Sequence, residues 1–209
     1  LRRHALGVIR MLVEKQLPLS LDSLIAAATP TFGNLIQDPK AALTDFVFDR
    51  LASSLKEQGY TAQEIDAVVS LRPQRLAEVQ QRLAAVRAFA ALPEAAALAA
   101  ANKRIGNILK KSEVGATVAV RAERLVEPQE KDLHAALTKT AAIAGPKFAA
   151  GDYQGGLVAC AALRTAVDAF FDKVMVNAED PALRDNRLAL LRDLHALMNR
   201  IADLARLAV

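Results

Sequence analysis

Helix boundary signals recur along the 209-residue chain. The segment TAQE at residues 61–64 is a capping box, in which the Thr hydroxyl and the Glu carboxylate each accept a backbone N–H of the other residue. The dipeptide DP, at 38–39 and again at 180–181, combines an N-cap residue with a proline at the first helical position. No segment requires a strand. The chain is therefore predicted to be all-α.

Composition supports this prediction, since 53% of the residues are hydrophobic, only 4% are aromatic, and the excess is Ala and Leu, which favour helices. The apolar period predicts helices over about 2–16, 20–28, 39–58, 62–72, 74–91, 93–111, 128–144, 153–175 and from 181 almost to 209, with a loop or irregular helix at 112–127. The last helix carries an apolar seam suited to a helical bundle, formed by Leu190, Leu194, Leu197, Ile201, Leu204 and Ala208. Two packed helical bundles are expected, over residues 1–95 and 96–209.

Several features bear on location and completeness. The lone cysteine, Cys160, lies in an apolar run and cannot form an internal disulfide. No charge-free apolar segment of 18 residues is present, so no membrane span is expected. These features predict a cytoplasmic protein. The chain begins at Leu1 already in helical register, which we interpret as a piece of a longer protein.

Motifs for catalysis are missing from the sequence. The three histidines, His4, His134 and His195, lie far apart without carboxylates or cysteine at metal-ligand spacing. Neither a glycine-rich phosphate loop nor a nucleophile elbow occurs. We therefore predict neither a metal site nor a catalytic site in this chain.

The stretch AANKRIGNILKK at 100–111 is the candidate binding surface. On a helix its polar residues share an arc of about 120° that contains no acid, while its apolar residues occupy a separate arc. The polar residues are Lys103, Arg104, Asn107, Lys110 and Lys111. Unneutralised cations suit nucleic-acid phosphates, but no aromatic residue is interleaved for base stacking. From the residues alone, an interaction face or a solvated surface stays open.

The same stretch resembles a known family. ANKRIGNILKK, followed by LVEPQEKDL and then by the run from GDYQGGLVACAAL through VDAFFDKVMV and LRDNRLALL to RIADL, resembles the C-terminal end of bacterial glycyl-tRNA synthetase beta subunits, over about 95–207. LRRHALGVIRMLVEK resembles the closing helix of the histidine-aspartate-type helical domain that precedes it in that family. The resemblance implies a DALR-type anticodon-binding helical domain at 96–209.

It also implies a function. The intact enzyme would be a glycine–tRNA ligase that attaches glycine to tRNA(Gly), with ATP and Mg²⁺ used at a separate alpha subunit in an alpha–beta heterotetramer. This chain would recognise the anticodon region and would need no cofactor of its own. The alternative is a non-catalytic helical scaffold that joins subunits or domains without touching RNA.

The resemblance suggests eight tRNA-contacting candidates, which are Lys103, Arg104, Asn107, Lys110, Lys111, Arg184, Asn186 and Arg187. Each could instead stabilise the fold, and Asn102 and Asn186 in particular could fix neighbouring backbone. The helical spacing in VDAFFDKVMV predicts a core face rather than a base-stacking surface, formed by Val167, Phe170, Phe171, Val174 and Met175.

Overall fold

The computed structural model describes residues 1–112 and 119–208. In these ranges strand pairing is limited to one isolated bridge, between Ser20 and Arg75. The all-α prediction is confirmed. The chain divides into two compact units, residues 1–84 and 85–209, with the division inside one helix. The assignment of domains to 1–95 and 96–209 stays a prediction.

The first unit contains four helices and the beginning of a fifth. They are α1 (Arg2–Glu14), α2 (Leu21–Ala28), α3 (Lys40–Glu57), α4 (Ala62–Val69) and the beginning of α5 (Val79–Ala90). The predicted capping box at the start of α4 is confirmed. The Thr61 N–H donates to Glu64 Oε2 at 2.8 Å, and the Glu64 N–H donates to Thr61 Oγ1 at 3.2 Å. The unit encloses a core that includes Ile9, Leu12, Leu51, Leu55, Val68 and Leu83.

The second unit carries the candidate site. Its helices are α6 (Ala95–Lys111), α7 (Pro128–Ala149), α8 (Tyr153–Cys160), α9 (Arg164–Lys173) and α10 (Pro181–Met198), with 3-10 turns at Ala122–Arg124, Ala161–Leu163 and Leu204–Leu207. α6 packs against α9, α10 and the last turn, while α7 packs against α8 and α9. Of the loop predicted at 112–127, residues 113–118 lie outside the described ranges, and 119–127 contain one short turn.

Several predicted helix extents in this unit are wrong. α7 continues past Ala144 to Ala149 because the residue before Pro146 is Gly145, which has no Cβ to clash with the proline ring. The single helix predicted over 153–175 is broken by the turn at Ala161–Leu163. The buried positions on either side of the turn, Cys160, Leu163, Val167 and Phe170, keep helical spacing, so the apolar pattern does not reveal the break.

The last predicted helix is also too long. α10 ends at Met198 because the side chain of the next residue, Asn199, makes hydrogen bonds with backbone groups before and after the helix end. Its amide donates to the His195 carbonyl at 2.8 Å, and its oxygen accepts the Leu204 N–H at 3.0 Å. Five of the six seam residues, Leu190, Leu194, Leu197, Ile201 and Leu204, are nevertheless buried as predicted, whereas Ala208 is half-buried.

No single helix in the described ranges is long and apolar enough to cross a membrane, although one pair of helices joined by a bend passes the same length and composition test together.

Candidate nucleic-acid interface

One side of α6 presents cations to solvent. All five polar residues predicted to share this side are exposed: Lys103, Arg104, Asn107, Lys110 and Lys111. We call these five residues the α6 cationic face. On the opposite side Ile105 is fully buried, and Ile108 and Leu109 are half-buried. The predicted separation of a polar and an apolar side is confirmed.

Within the described residues, no acidic side chain pairs with the cations of the α6 cationic face. In the part of the chain that the structure describes, none of its four cationic side chains forms an ion pair within 4.0 Å. Other cations of the same unit do pair, as Lys147 does with Asp152 at 2.9 Å and Arg164 with Asp168 at 3.5 Å. An approaching anion would therefore relieve repulsion among the cations of this face.

Arg104 lies over an aromatic ring. Its guanidinium carbon lies 4.2 Å from the centroid of the half-buried Phe171 ring on α9. Phe171 in turn meets the buried Phe170 edge to face, with centroids 5.6 Å apart. A guanidinium stacked in this way keeps its other planar surface available for a ligand.

The segment that follows α9 departs from the predicted core face. Val167, Phe170 and Val174 are buried as predicted, but Met175 is 74% exposed. The prediction for Met175 is wrong because α9 ends at Lys173 and the backbone becomes extended at Val174. Helical spacing therefore no longer decides which way Met175 points.

A cavity of about 310 Å³ opens between this segment and α6. It is lined by Arg104, Ile108, Val174, Met175, Val176 and Asn177. None of the residues 174–177 was among the predicted tRNA-contacting candidates. The only available signal was the end of the helical pattern in the run VMVNAED, which does not reveal a neighbouring helix.

The second predicted group, on α10, does not form one exposed surface. Arg184 is half-buried, while Asn186 and Arg187 are buried. The Asn186 oxygen accepts the Arg121 N–H at 2.7 Å, and its amide donates to the Arg121 carbonyl at 3.1 Å. The proposal that Asn186 fixes a neighbouring backbone is confirmed.

Arg187 has an interior role as well. Its Nε donates to Glu130 Oε1 at 2.7 Å, and its Nη1 donates to the Met175 carbonyl at 2.8 Å. Glu130 is fully buried and also accepts the Val126 and Glu127 N–H groups at the start of α7. We therefore assign Arg187 to positioning the segment 174–177.

Behind the α6 cationic face, α6 is fastened to the end of α10. The amide of the fully buried Asn102 donates to Asn199 at 2.8 Å and accepts from it at 2.9 Å. One turn further along, a Cβ at Gly106 would lie 3.5 Å from His195 Nε2. Burial lowers the pKa of His195, and Lys110 lowers it further, while Asp203 acts in the opposite direction.

Other chemically active groups do not converge in the described residues. No group of three or more His, Cys, Asp or Glu side chains there is arranged to hold a metal ion. Cys160 is buried, and desolvation raises its pKa to about 12, which suppresses the thiolate. The α6 cationic face and its adjoining cavity are thus the arrangement best suited to binding.

Comparisons with known proteins point to the same helices. Residues 98–206 match the family model described as the DALR anticodon binding domain. Residues 1–70 match the model described as the glycyl-tRNA synthetase beta subunit. The first of these matches contains the whole α6 cationic face and the cavity beside it.

Curated relatives carry the same description over the full chain. The chain is similar to proteins named glycine–tRNA ligase beta subunit from Leptothrix cholodnii (64% identical over 208 residues), Delftia acidovorans (62% over 208) and Paracidovorax citrulli (65% over 210). Each comparison covers 100% of this chain but only 29–30% of the relative. The chain therefore spans less than a third of the length of these relatives.

Proposed function

This chain belongs to the glycyl-tRNA synthetase beta subunit family, and we propose that its second unit binds the anticodon region of tRNA(Gly). The chain would act as part of a cytoplasmic, ATP-dependent glycine–tRNA ligase. The alpha subunit would carry the catalytic site and use ATP and Mg²⁺. This chain would contribute tRNA recognition and no catalytic group.

The observation that carries the proposal is the α6 cationic face. Its four cations are exposed, lie on one side of one helix and have no ion-pair partner among the described residues. Such a surface matches the regularly spaced negative charges of an RNA backbone. It lies within the range that matches the anticodon-binding domain.

Asn107 and Arg104 add more than charge to this face. The Asn107 amide can donate to and accept from a base or ribose edge, and the planar Arg104 guanidinium can stack on a base. Single-stranded loops, such as an anticodon loop, present unstacked bases to groups of this kind. We therefore infer that the face contacts both phosphates and bases.

The test is tRNA(Gly) binding by the assembled enzyme at several salt concentrations. Reversing Lys103 and Lys110 to Glu should lower affinity strongly and leave the helical circular dichroism unchanged. Neutralising them to Gln should reduce the slope of log affinity against log salt by about 2, since each lost phosphate contact removes about one unit.

The matched control reverses Lys131 and Lys139, two exposed lysines on α7. This variant has the same net charge change and should keep much more of the affinity. Equal losses for the two reversals would show a general charge effect. Unchanged affinity after reversal of Lys103 and Lys110 would favour the scaffold alternative.

A further inference from the structure

The segment 174–177 alternates between buried and exposed side chains. Val174 and Val176 are 7% and 8% exposed, whereas Met175 is 74% exposed and Asn177 is also exposed. The backbone is extended at Val174 and bends at Val176 and Asn177, where the Ala178 N–H donates to the Val176 carbonyl at 3.0 Å. Met175 and Asn177 both line the cavity beside α6 and are exposed, so they form its solvent-facing rim.

The wall facing this rim combines apolar and planar groups. Arg104 and Ile108 of α6 line the cavity, and the Arg104 guanidinium is stacked on the Phe171 ring. The volume of about 310 Å³ is at the lower end of the range of about 300–1,000 Å³ for small-ligand clefts. The cavity suits a small, flat and partly polar group.

Hydrogen bonds within the protein hold the backbone of this rim in place without a ligand. The Met175 carbonyl accepts from Arg187 at 2.8 Å, and the Val174 N–H donates to the Phe170 carbonyl at 2.8 Å. Arg187 is itself held by the buried Glu130 carboxylate. A site whose supporting groups are locked in this way loses little entropy when it binds.

We propose that this cavity holds one unpaired nucleobase of the bound tRNA. The base stacks on Arg104, Met175 covers its other side, and the Asn177 amide bonds to its polar edge. The neighbouring lysines of the α6 cationic face hold the phosphates of the same strand. The inference rests on the proposed tRNA binding and adds to it a base-specific subsite.

Charge decides between a base and an apolar peptide as the occupant. A hydrophobic peptide side chain would fill the cavity but would bring no counter-charge to the neighbouring cations of α6, which have no ion-pair partner in residues 1–112 and 119–208. A nucleotide brings a flat ring and an anion together, which matches both neighbouring surfaces.

The experiment measures affinity of the assembled enzyme for tRNA(Gly) transcripts that carry one abasic nucleotide at successive positions of the anticodon loop. For the wild-type enzyme, one position should lower affinity about tenfold, as expected for loss of one stacked base. Met175→Ala and Asn177→Ala should each weaken binding of the unmodified tRNA. Ile143→Ala, at another exposed apolar residue of the same unit, serves as the matched control.

Non-additivity identifies the subsite. At the sensitive position, the abasic change should have little further effect in the Met175→Ala enzyme, because both changes remove the same contact. The proposal is overturned if the abasic change at the sensitive position lowers the affinity of the Met175→Ala enzyme as much as that of the wild-type enzyme. It is also overturned if the wild-type enzyme has no sensitive position.

Arg104→Lys separates stacking from charge. Lysine keeps the cation but lacks the planar surface, so the abasic penalty should shrink while the salt slope stays unchanged. An unchanged abasic penalty with a reduced salt slope would overturn the stacking role.

The variants also distinguish failure of the subsite from failure of the proposed function. If only the Lys103 and Lys110 variants change tRNA binding, the base subsite is rejected, but tRNA binding by the α6 cationic face is supported. If they too leave binding unchanged, the proposed function fails as well.

Discussion

Asn102 on α6 and Asn199 at the end of α10 exchange two amide hydrogen bonds, of 2.8 and 2.9 Å. Asn199 also accepts from Leu204 and donates to His195, so each of its hydrogen-bonding positions is used. The pair fastens the helix that carries the α6 cationic face to the C-terminal segment of the chain.

Replacing Asn102 with Ala should destabilise the chain by about 1–3 kcal/mol, because it leaves part of the Asn199 amide without a partner. The measurement is urea unfolding followed by circular dichroism. Asn107→Ala, at an exposed position on the same helix, should change the free energy of unfolding by less than about 0.5 kcal/mol. Equal effects of the two substitutions would contradict the role assigned to the pair.

Breaking the buried Arg187–Glu130 pair should have a larger effect. Arg187→Met leaves Glu130 fully buried without its counter-charge, which should cost about 3–5 kcal/mol of the free energy of unfolding. Arg164→Ala removes a surface pair with Asp168 and should cost under about 1 kcal/mol. An effect of Arg187→Met no larger than that of Arg164→Ala would contradict the role assigned to the buried pair.

The close approach of α7 and α8 depends on Gly156. A Cβ at this position would overlap the ring of the buried Phe148, so Gly156→Ala should destabilise by about 1–3 kcal/mol. Gly7 on α1 has open space around it, and Gly7→Ala should stabilise by about 0.5–1 kcal/mol. Opposite signs in denaturant unfolding are the expected result, and equal signs would contradict the packing argument.

Stability should fall as the solution becomes acidic, in part because of His195. Burial lowers its pKa in the folded chain, so at pH values between the folded and unfolded pKa the unfolded state binds more protons. The contribution is therefore present above the usual histidine range and is lost as pH falls through the folded pKa. Comparing urea midpoints at pH 7.5 and 5.5 checks this.

A histidine variant isolates that contribution. His195→Gln should show a smaller decrease between the two pH values than the wild-type chain. A decrease unaffected by the His195 substitution would assign the acid sensitivity to other groups.

Local sequence signals predicted the starts of two helices well. The capping box at Thr61 and the Asp180–Pro181 start of α10 are local, and the structure confirms both. The exposed and buried sides of α6 also follow from residues three and four apart. These features need no knowledge of the rest of the fold.

Features that depend on distant partners could not be predicted in this way. Asn199, directly after the end of α10, bonds to Asn102, which is 97 positions away in the sequence. The sequence predicts that Arg187 is an exposed cation, because it does not show that Glu130 lies beside it in the fold. Met175 faces the cavity because α9 stops two residues earlier, a boundary for which the run VMVNA carries no glycine or proline signal.

Photochemical crosslinking of bound tRNA(Gly) to the assembled enzyme shows directly whether the α6 cationic face contacts tRNA. After digestion, we expect RNA adducts on peptides that contain residues 103–111 and 174–177, and we expect Lys103→Glu and Lys110→Glu to reduce them. Adducts confined to other parts of the enzyme, and unchanged by these substitutions, would show that the face does not contact tRNA.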